Sequence, residues 1–221
     1  MSEELAADPY DPRRIVADGY DAIAERYFEW SDARPSATRL AWLAKADALI
    51  PSDTDVLDLG CGAGVPMTRR LAAHRRVTGV DLSTRQIALA RVNVPAATFR
   101  QADMTALDLA PASVDAVTAF YSLTHVPRAD LPGLLADIHG WLRPDGLLLA
   151  SMGAEDAPDE VEPDWLGVPM FFSHHGAKRN RALVEAAGFE VIESTIDVEP
   201  EDRHDARFLW VVARRRGTAD V

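Results

Sequence analysis

The sequence predicts an α/β fold in which helices flank a mainly parallel sheet. An apolar run with strand character, Val56–Leu59, breaks into glycines at alternate positions, Gly60, Gly62 and Gly64, and a helical pattern follows. Short apolar segments then alternate with helical ones along the middle of the chain. One of these segments ends at Asp81, 17 residues beyond Gly64. A strand, a glycine-rich loop, a helix and then a carboxylate closing the next strand are typical of a nucleotide-binding unit.

The length of 221 residues suits one large α/β domain, with or without a small cap. The composition is that of a globular protein, with 48% hydrophobic and 26% charged residues. The formal net charge of −12 disfavours nucleic acid as a partner, because binding to polyanions depends on Lys and Arg. The basic run Arg214–Arg216 is interpreted as a solvated tail.

The sequence also indicates where the protein resides. It contains no apolar run near the roughly 20 residues that a membrane span requires. Met1–Leu5 lacks the basic and apolar regions of a secretory signal, and the single cysteine, Cys61, excludes an intrachain disulfide. We therefore expect a cytoplasmic protein without membrane association, either a monomer or a homodimer.

The first 50 residues are predicted to form a helical cap. Apolar residues recur at helical spacing from Ile15 to Leu49, and Arg34–Ser36 interrupts the pattern. Residues 1–12 are acidic, contain Pro9 and Pro12, and are expected to be mobile or loosely docked. These helices precede the glycine loop in sequence and could cover it.

Residues 51–152 are predicted to be the core of the fold. A second strand, Arg76–Val80, leads to Asp81, and Ser83 with Gln86 has the form of a capping box that opens a helix. Three further strands are expected, with an amphipathic helix over residues 131–142 before the last of them. Their ranges are Ala97–Gln101, Ser113–Phe120 and Leu147–Met152.

The remaining chain is predicted to form a lid and then complete the sheet. Gly153–Pro169 is acidic and has no period, so the segment 153–178 is expected to be an irregular lid or substrate loop. Residues 179–221 follow, with a helix that ends near Gly188 and strands at Val191–Val198 and Arg207–Ala213.

Several motifs in this order resemble class I S-adenosylmethionine (SAM) dependent methyltransferases of the small-molecule type. Asp58 followed by G-x-G-x-G resembles motif I of that family, and Tyr20–Tyr27 resembles its Y-D-x-x-A-x-x-Y signature. Leu142–Gly146, "L-R-P-D-G", resembles the turn before its fifth strand. The tetrad [DN]-P-P-[YF] of many nucleobase and glutamine methyltransferases does not occur, which favours a small-molecule acceptor.

The resemblance implies a Rossmann-like sheet of seven strands in the order 3-2-1-4-5-7-6, with strand 7 antiparallel. It implies SAM as the cofactor and S-adenosylhomocysteine as the product. Asp81 would bind the ribose, Asp103 and Met104 the adenine, and the glycine loop the methionine end. The complete set of expected cofactor residues is Tyr20, Tyr27, Asp58, Gly60, Cys61, Gly62, Gly64, Asp81, Leu82, Gln86, Asp103, Met104, Phe120 and Tyr121.

The methyl acceptor is expected to meet aromatic and imidazole residues that follow the fourth and fifth strands. His174 and His125 are the candidate bases, since imidazole titrates near neutrality, and His174 is favoured. The cluster suggests a hydrophobic or aromatic acceptor, such as a natural-product intermediate. No metal site is expected, because metal-ligand spacings are missing. The expected acceptor residues are Tyr121, Trp165, Met170, Phe171, Phe172 and His174.

Two other functions remain open from the sequence. An NAD-linked oxidoreductase would use a similar loop and ribose carboxylate, but its G-x-G-x-x-G spacing would place a glycine where Val65 stands. A SAM-binding protein without catalytic activity is the other alternative.

Overall fold

The structure is a computed structural model that describes residues 10–33, 36–200 and 205–216. The expected loose N-terminal segment up to residue 9 and the helix break at Arg34 and Pro35 lie outside the described residues. The helices are α1 (Pro12–Ala33), α2 (Ala37–Leu49), α3 (Met67–Leu71), α4 (Thr84–Asn93), α5 (Leu131–Trp141) and α6 (Ala177–Ala186). The strands are β1 (Asp55–Leu59), β2 (Arg76–Asp81), β3 (Thr98–Gln101), β4 (Val114–Ala119), β5 (Leu142–Gly153), β6 (Ala157–Trp165), β7 (Val168–His174), β8 (Phe189–Pro200) and β9 (Asp205–Arg215).

Within the described residues, seven strands form the main sheet in the order β3-β2-β1-β4-β5-β9-β8. The pairs among β1 to β5 are parallel, whereas β9 is antiparallel to both β5 and β8. Once the two hairpin strands β6 and β7 are left out of the count, this is the predicted order 3-2-1-4-5-7-6. The predicted α/β fold and its reversed final strand are confirmed.

Both faces of the sheet are buried, and consecutive residues of a strand lie on opposite faces of the sheet. In β1, Leu57 and Leu59 pack into the cluster that α5 and α6 cover, while Val56 packs against α2 and α3. A strand buried on both faces reads as a continuous apolar run rather than an alternating one. This pattern explains why the central strands stood out in the sequence.

The candidate site lies at the carboxyl ends of the parallel strands. β1, β2 and β4 end at Leu59, Asp81 and Ala119, and their following loops lie at the same edge of the sheet. In open α/β sheets, ligands bind at this edge, where the strand order reverses. Here the order reverses between β1 and β4.

The expectation of an irregular loop between Gly153 and Pro169 is wrong. β6 and β7 form a separate antiparallel hairpin, joined by Leu166 and Gly167 with φ of 50° and 85°. Two residues with positive φ are typical of the tight hairpin turn whose twist matches that of the flanking strands. β6 gives no sequence period because most of its residues are exposed. Its prolines are tolerated because, within the described residues, one edge of the strand pairs with no other strand.

The final basic run is also different from the expectation of a solvated tail. Arg214 and Arg215 belong to β9, and Arg215 Nη1 donates hydrogen bonds to the carbonyls of His139 and Gly140 at 2.9 and 3.0 Å. β5 begins at Leu142, five residues earlier than predicted. In the described part of the chain, no helix is long and apolar enough to cross a membrane.

Candidate active site

The glycine loop after β1 has a left-handed backbone at Gly60, Gly62 and Gly64, with φ of 72°, 53° and 79°. A Cβ on Gly60 would lie 2.2 Å from Ser122 Cβ, so this glycine lets the loop pack on the segment after β4. A Cβ on Gly62 would meet only Gln86 Oε1, at 3.8 Å. Gly62 therefore borders open space, and its backbone is accessible to a ligand.

Asp81 at the end of β2 is held by the backbone of two loops. Its Oδ2 accepts a hydrogen bond from Gly62 N–H at 2.9 Å, and its Oδ1 accepts one from Ser83 N–H at 2.9 Å. Each carboxylate oxygen keeps a second lone pair for a ligand donor. Burial raises the pKa of Asp81 to about 6, although both backbone hydrogen bonds oppose the shift.

Asp58 is buried under the loop and is engaged through both oxygens. Thr68 Oγ1 donates to Oδ2 at 2.5 Å and Thr118 Oγ1 donates to Oδ1 at 2.7 Å. Burial raises the pKa of Asp58, and the two hydroxyl donors act in the opposite direction. These bonds tie α3 and β4 to β1, so Asp58 fixes the base of the glycine loop as well as bordering the cavity.

Asp103, the expected adenine residue, is held by Arg13 from the start of α1. Arg13 Nε donates to Asp103 Oδ2 at 2.6 Å, and Arg13 Nη2 donates to Asp130 Oδ2 at 2.7 Å. The other Asp103 oxygen accepts from the N–H and the hydroxyl of Thr105, both at 2.8 Å. These contacts fasten the amino end of α1 beside the loop after β3.

One continuous cavity joins these loops, with a volume of about 1180 Å³ that includes its open mouth. It brings together most of the predicted site residues. Those that line it are Tyr20, Tyr27, Asp58, Gly60, Cys61, Gly62, Asp81, Leu82, Gln86, Asp103, Met104, Phe120, Tyr121 and His125. Among the described residues, the predicted ones outside the lining are Gly64, Trp165, Met170, Phe171, Phe172 and His174.

Gln86 is the polar residue in this wall whose bonding is incomplete. Its backbone N–H donates to Ser83 Oγ at 3.0 Å, which confirms half of the expected capping box. Its side chain is buried, and neither the amide oxygen nor the amide nitrogen has a partner among the described residues. Buried polar groups are nearly always paired, so a polar ligand group beside Gly62 would complete the site.

His125 and Tyr20 form a hydrogen-bonded pair in the cavity wall. His125 Nδ1 lies 2.8 Å from the Phe171 carbonyl oxygen, and Nε2 lies 2.9 Å from Tyr20 Oη. Burial lowers the pKa of His125 to about 4, with the Phe171 carbonyl acting in the opposite direction. The imidazole is therefore neutral at physiological pH.

His174, the favoured base, lies at the end of β7 and away from the cavity. Its Nδ1 lies 2.6 Å from the Glu155 carbonyl oxygen, and its ring packs on Gly153, where an added Cβ would lie 2.2 Å from Cγ. The ring fastens the hairpin to the end of β5. The structure does not bring His174 to the place where a methyl acceptor could bind.

The expected acceptor cluster lies behind the wall rather than in it. Met170 and Phe171 are buried against Val16 of α1. Trp165 and Phe172 contact the wall from outside, with ring centroids 5.7 Å from Tyr20 and 4.8 Å from His125. These side chains hold Tyr20 and His125 in place.

Tyr121 has a strained backbone in the wall after β4, with φ of 61°. Its N–H donates to Ser151 Oγ and its hydroxyl donates to Glu199 Oε1, both at 2.6 Å. Burial raises the pKa of Tyr121, which keeps the phenol protonated. The residue is thereby fixed with its ring at the cavity.

Sequence reasoning missed Arg39 of α2, whose guanidinium carbon lies 4.6 Å from the centroid of the Tyr121 ring. Arg39 lines the cavity, and its Nε is buried without a partner among the described residues. Burial lowers the pKa of Arg39, but the neighbouring Tyr27, Tyr121 and Glu199 outweigh this effect and raise it. Leu43 and Met67 also line the cavity and were missed. No local motif marks them, because tertiary packing alone brings them to the loop.

Comparison with known proteins gives a family assignment. Residues 56–146 match the family described as "Methyltransferase domain". The chain is 32% identical over 129 residues to the ubiquinone biosynthesis O-methyltransferase of Paracidovorax citrulli, covering 53% of this chain and 52% of that protein. It is 30% identical over 155 residues to the malonyl-[acyl-carrier protein] O-methyltransferase of Pectobacterium atrosepticum, covering 69% and 58%. The chain thus spans little more than half the length of these relatives.

A solved structure resembles the fold across nearly the whole chain. It is the Burkholderia thailandensis 1,6-didemethyltoxoflavin-N1-methyltransferase with bound 1,6-didemethyltoxoflavin and S-adenosylhomocysteine. The TM-score is 0.61 at 25% identity, and the match covers 91% of each chain.

Proposed function

Because the chain is a member of the class I SAM-dependent methyltransferases, we propose that it transfers a methyl group from SAM to a small-molecule acceptor and releases S-adenosylhomocysteine. The observation that carries this proposal is the bond from Gly62 N–H to Asp81 at the wall of a single cavity. It joins the loop that a nucleoside cofactor must approach closely to the carboxylate that can accept its ribose hydroxyls.

The donors and acceptors of the site fit the cofactor group by group. Asp81 offers one free lone pair on each oxygen to the ribose, and Gln86 offers an unpaired amide beside it. Met104 and the loop after β3 would meet the adenine. The cation of Arg39 would meet the methionine carboxylate, since Arg39 lines the cavity and its Nε is buried without a partner among the described residues.

SAM supplies an activated methyl group on a sulfonium, so the protein mainly aligns the reactants and excludes water. The cavity lining includes the apolar side chains of Leu43, Met67 and Phe120 and the rings of Tyr27 and Tyr121. This lining supports a hydrophobic or aromatic acceptor. The charged groups of the wall would serve the cofactor.

Isothermal titration calorimetry with SAM, S-adenosylhomocysteine and NAD tests the cofactor. We expect binding of the first two and none of NAD; NAD binding without SAM binding would favour the oxidoreductase alternative. A panel of phenols, enols, amines and carboxylic acids then tests catalysis through release of S-adenosylhomocysteine. SAM binding without turnover of any member would favour the non-catalytic alternative.

A further inference from the structure

A chain of hydrogen bonds connects α1 to the carboxylate that is proposed to bind the ribose. Ser83, the N-cap residue of α4, is fully buried, and its N–H donates to Asp81 Oδ1 at 2.9 Å. The Ser83 hydroxyl accepts a hydrogen bond from Gln86 N–H at 3.0 Å and donates one to Asp21 Oδ1 of α1. The same Asp21 oxygen accepts from Arg85 N–H at 3.0 Å. A single residue, Ser83, therefore links Asp21 to Asp81.

The first turn of α4 needs acceptors for its backbone N–H groups, which have no partner within the helix and attract negative charge. Ser83 Oγ serves the N–H of Gln86, and Asp21 Oδ1 serves the N–H of Arg85. Asp81 lies just before the same turn and is bonded to its N-cap residue. Because other oxygens serve the turn, the Asp81 carboxylate stays at the cavity wall.

Removal of the Asp21 carboxylate would leave the Ser83 hydroxyl hydrogen without its acceptor. This hydroxyl is buried, and buried donors are nearly always paired. Within the described chain, Asp81 is the other carboxylate bonded to this turn, so it would become the acceptor. Its oxygens would then turn away from the Gly62 N–H and from the cavity.

We propose that Asp21 is a positioning residue for cofactor binding, which keeps the Asp81 carboxylate oriented for the ribose by accepting the hydrogen bonds of the α4 turn. This inference rests on the proposed function and adds a residue of α1 to the ribose site. Asp21 lies outside the cavity lining, so it acts through Ser83 and does not touch the ligand. Docking of α1 is then part of forming the ribose site, rather than a cover over a finished one.

The charge of Asp21 also acts on Asp81, which gives the proposal a second observable. Burial is the main cause that raises the pKa of Asp81, and the negative charges of Asp58 on β1 and Asp21 on α1 add to it. The two backbone N–H groups bonded to Asp81 act in the opposite direction. The neighbouring Cys61 thiol of the glycine loop stays neutral, because burial and the nearby carboxylates raise its pKa.

Two substitutions of Asp21 separate its hydrogen bonds from its charge, and calorimetry with SAM between pH 5 and 7.5 measures both. Asp21→Ala removes the acceptor, so SAM affinity at pH 7.5 should fall about tenfold. Asp21→Asn keeps an acceptor oxygen, so its affinity at pH 7.5 should stay within about threefold of the wild type. In Asp21→Asn the loss of affinity in acid should begin at a lower pH than in the wild type, because removing the negative charge lowers the pKa of Asp81.

Glu25→Ala is the matched control, because Glu25 joins the same two helices through the Arg85 guanidinium and does not contact Ser83. Its SAM affinity and its pH dependence should equal those of the wild type. Wild-type affinity in Asp21→Ala, an equal loss in Glu25→Ala, or an unshifted acid limb in Asp21→Asn would each overturn the proposal. If Asp21→Ala does not fold, as judged by circular dichroism, the acid limb of Asp21→Asn decides. Failure of the wild type to bind SAM would instead overturn the proposed function, and this inference with it.

Discussion

Asp81 shows how a single residue can couple cofactor binding to pH. Its two oxygens are oriented by the N–H groups of Gly62 and Ser83, which leaves lone pairs directed at the cavity. Burial raises its pKa from 3.8 to about 6, so the folded protein holds this proton more tightly than the unfolded chain does. The contribution of Asp81 to stability is therefore present below about pH 4 and is lost as the pH rises through 6.

Cofactor binding should follow the opposite direction, because the ribose hydroxyls need the ionised carboxylate. We expect the SAM affinity to be constant above about pH 7 and to fall up to about tenfold per unit below pH 6. The Asp81→Asn variant should bind SAM more weakly than the wild type by roughly 2 kcal/mol, and its affinity should no longer depend on pH in this range. Calorimetry between pH 5 and 7.5 measures the SAM affinity of the wild type and of the variant. If the affinity of the variant changed with pH as steeply as that of the wild type, another group would be responsible for the dependence.

Two glycines of the same loop should respond differently to substitution. Gly60→Ala would place Cβ 2.2 Å from Ser122 Cβ, so it should lower the free energy of unfolding by about 2–4 kcal/mol. Gly62→Ala meets no atom closer than 3.8 Å, so only its positive φ should matter for folding, at about 1–2 kcal/mol.

For SAM binding we expect the opposite ranking, with Gly62→Ala the more damaging of the two substitutions. Gly62→Ala should weaken SAM binding at least about tenfold, because the methyl group enters the space beside the loop. Urea unfolding and calorimetry on both variants provide the comparison. If Gly62→Ala bound SAM as the wild type does, this glycine would not face the cofactor.

The sequence predicted the residues that lie in local motifs. Asp58, Asp81 and the glycines follow directly on strands, so their position in the chain defines their position in space. His174 was favoured over His125 on chain position alone, and the structure places it outside the cavity lining, against Gly153. Arg39 reaches the cavity from α2 by tertiary packing, which no spacing in the sequence reveals.

At the scale of elements, α1 packs closely against the hairpin β6–β7. Gly19 allows close packing, since a Cβ there would lie 2.8 Å from Met170 Cε and 3.0 Å from the Pro169 carbonyl oxygen. Arg26 donates to the Leu166 carbonyl oxygen at the hairpin turn. The hairpin was not recognised in the sequence because β6 is mostly exposed and rich in acidic residues and proline, whereas the buried pair Met170 and Phe171 suggested only an apolar cluster.

This coupling predicts that the two elements respond to ligands together. Hydrogen exchange of α1 and of β7 should slow by similar factors when SAM and an acceptor bind, because both elements cover the cavity wall. Gly19→Val should separate the two responses by displacing Met170. Slower exchange in α1 alone in the wild type would show that the hairpin is a static support.

At the scale of the whole molecule, the strand order was predictable only through the family resemblance. The sequence identifies strands, but pairing β9 between β5 and β8 depends on contacts between distant residues, such as Leu149 with Val212. Local patterns identified the individual strands of the parallel half, but they did not give the order of those strands in the sheet. The parts built from long-range contacts are those that the sequence left undefined.

The cavity contacts α1, α2, the glycine loop, α4 and the loops after β3 and β4, so one ligand bridges elements from much of the fold. We therefore expect SAM to stabilise the molecule as a unit. At about 100 times its dissociation constant it should add about 2.7 kcal/mol, which corresponds to a rise in melting temperature of about 5–10 °C for a domain of this size. NAD at the same concentration should leave the melting temperature unchanged. Differential scanning calorimetry should show a single transition that moves upward with SAM; a transition that splits, with only one part shifted, would mean that the cofactor stabilises a separate unit.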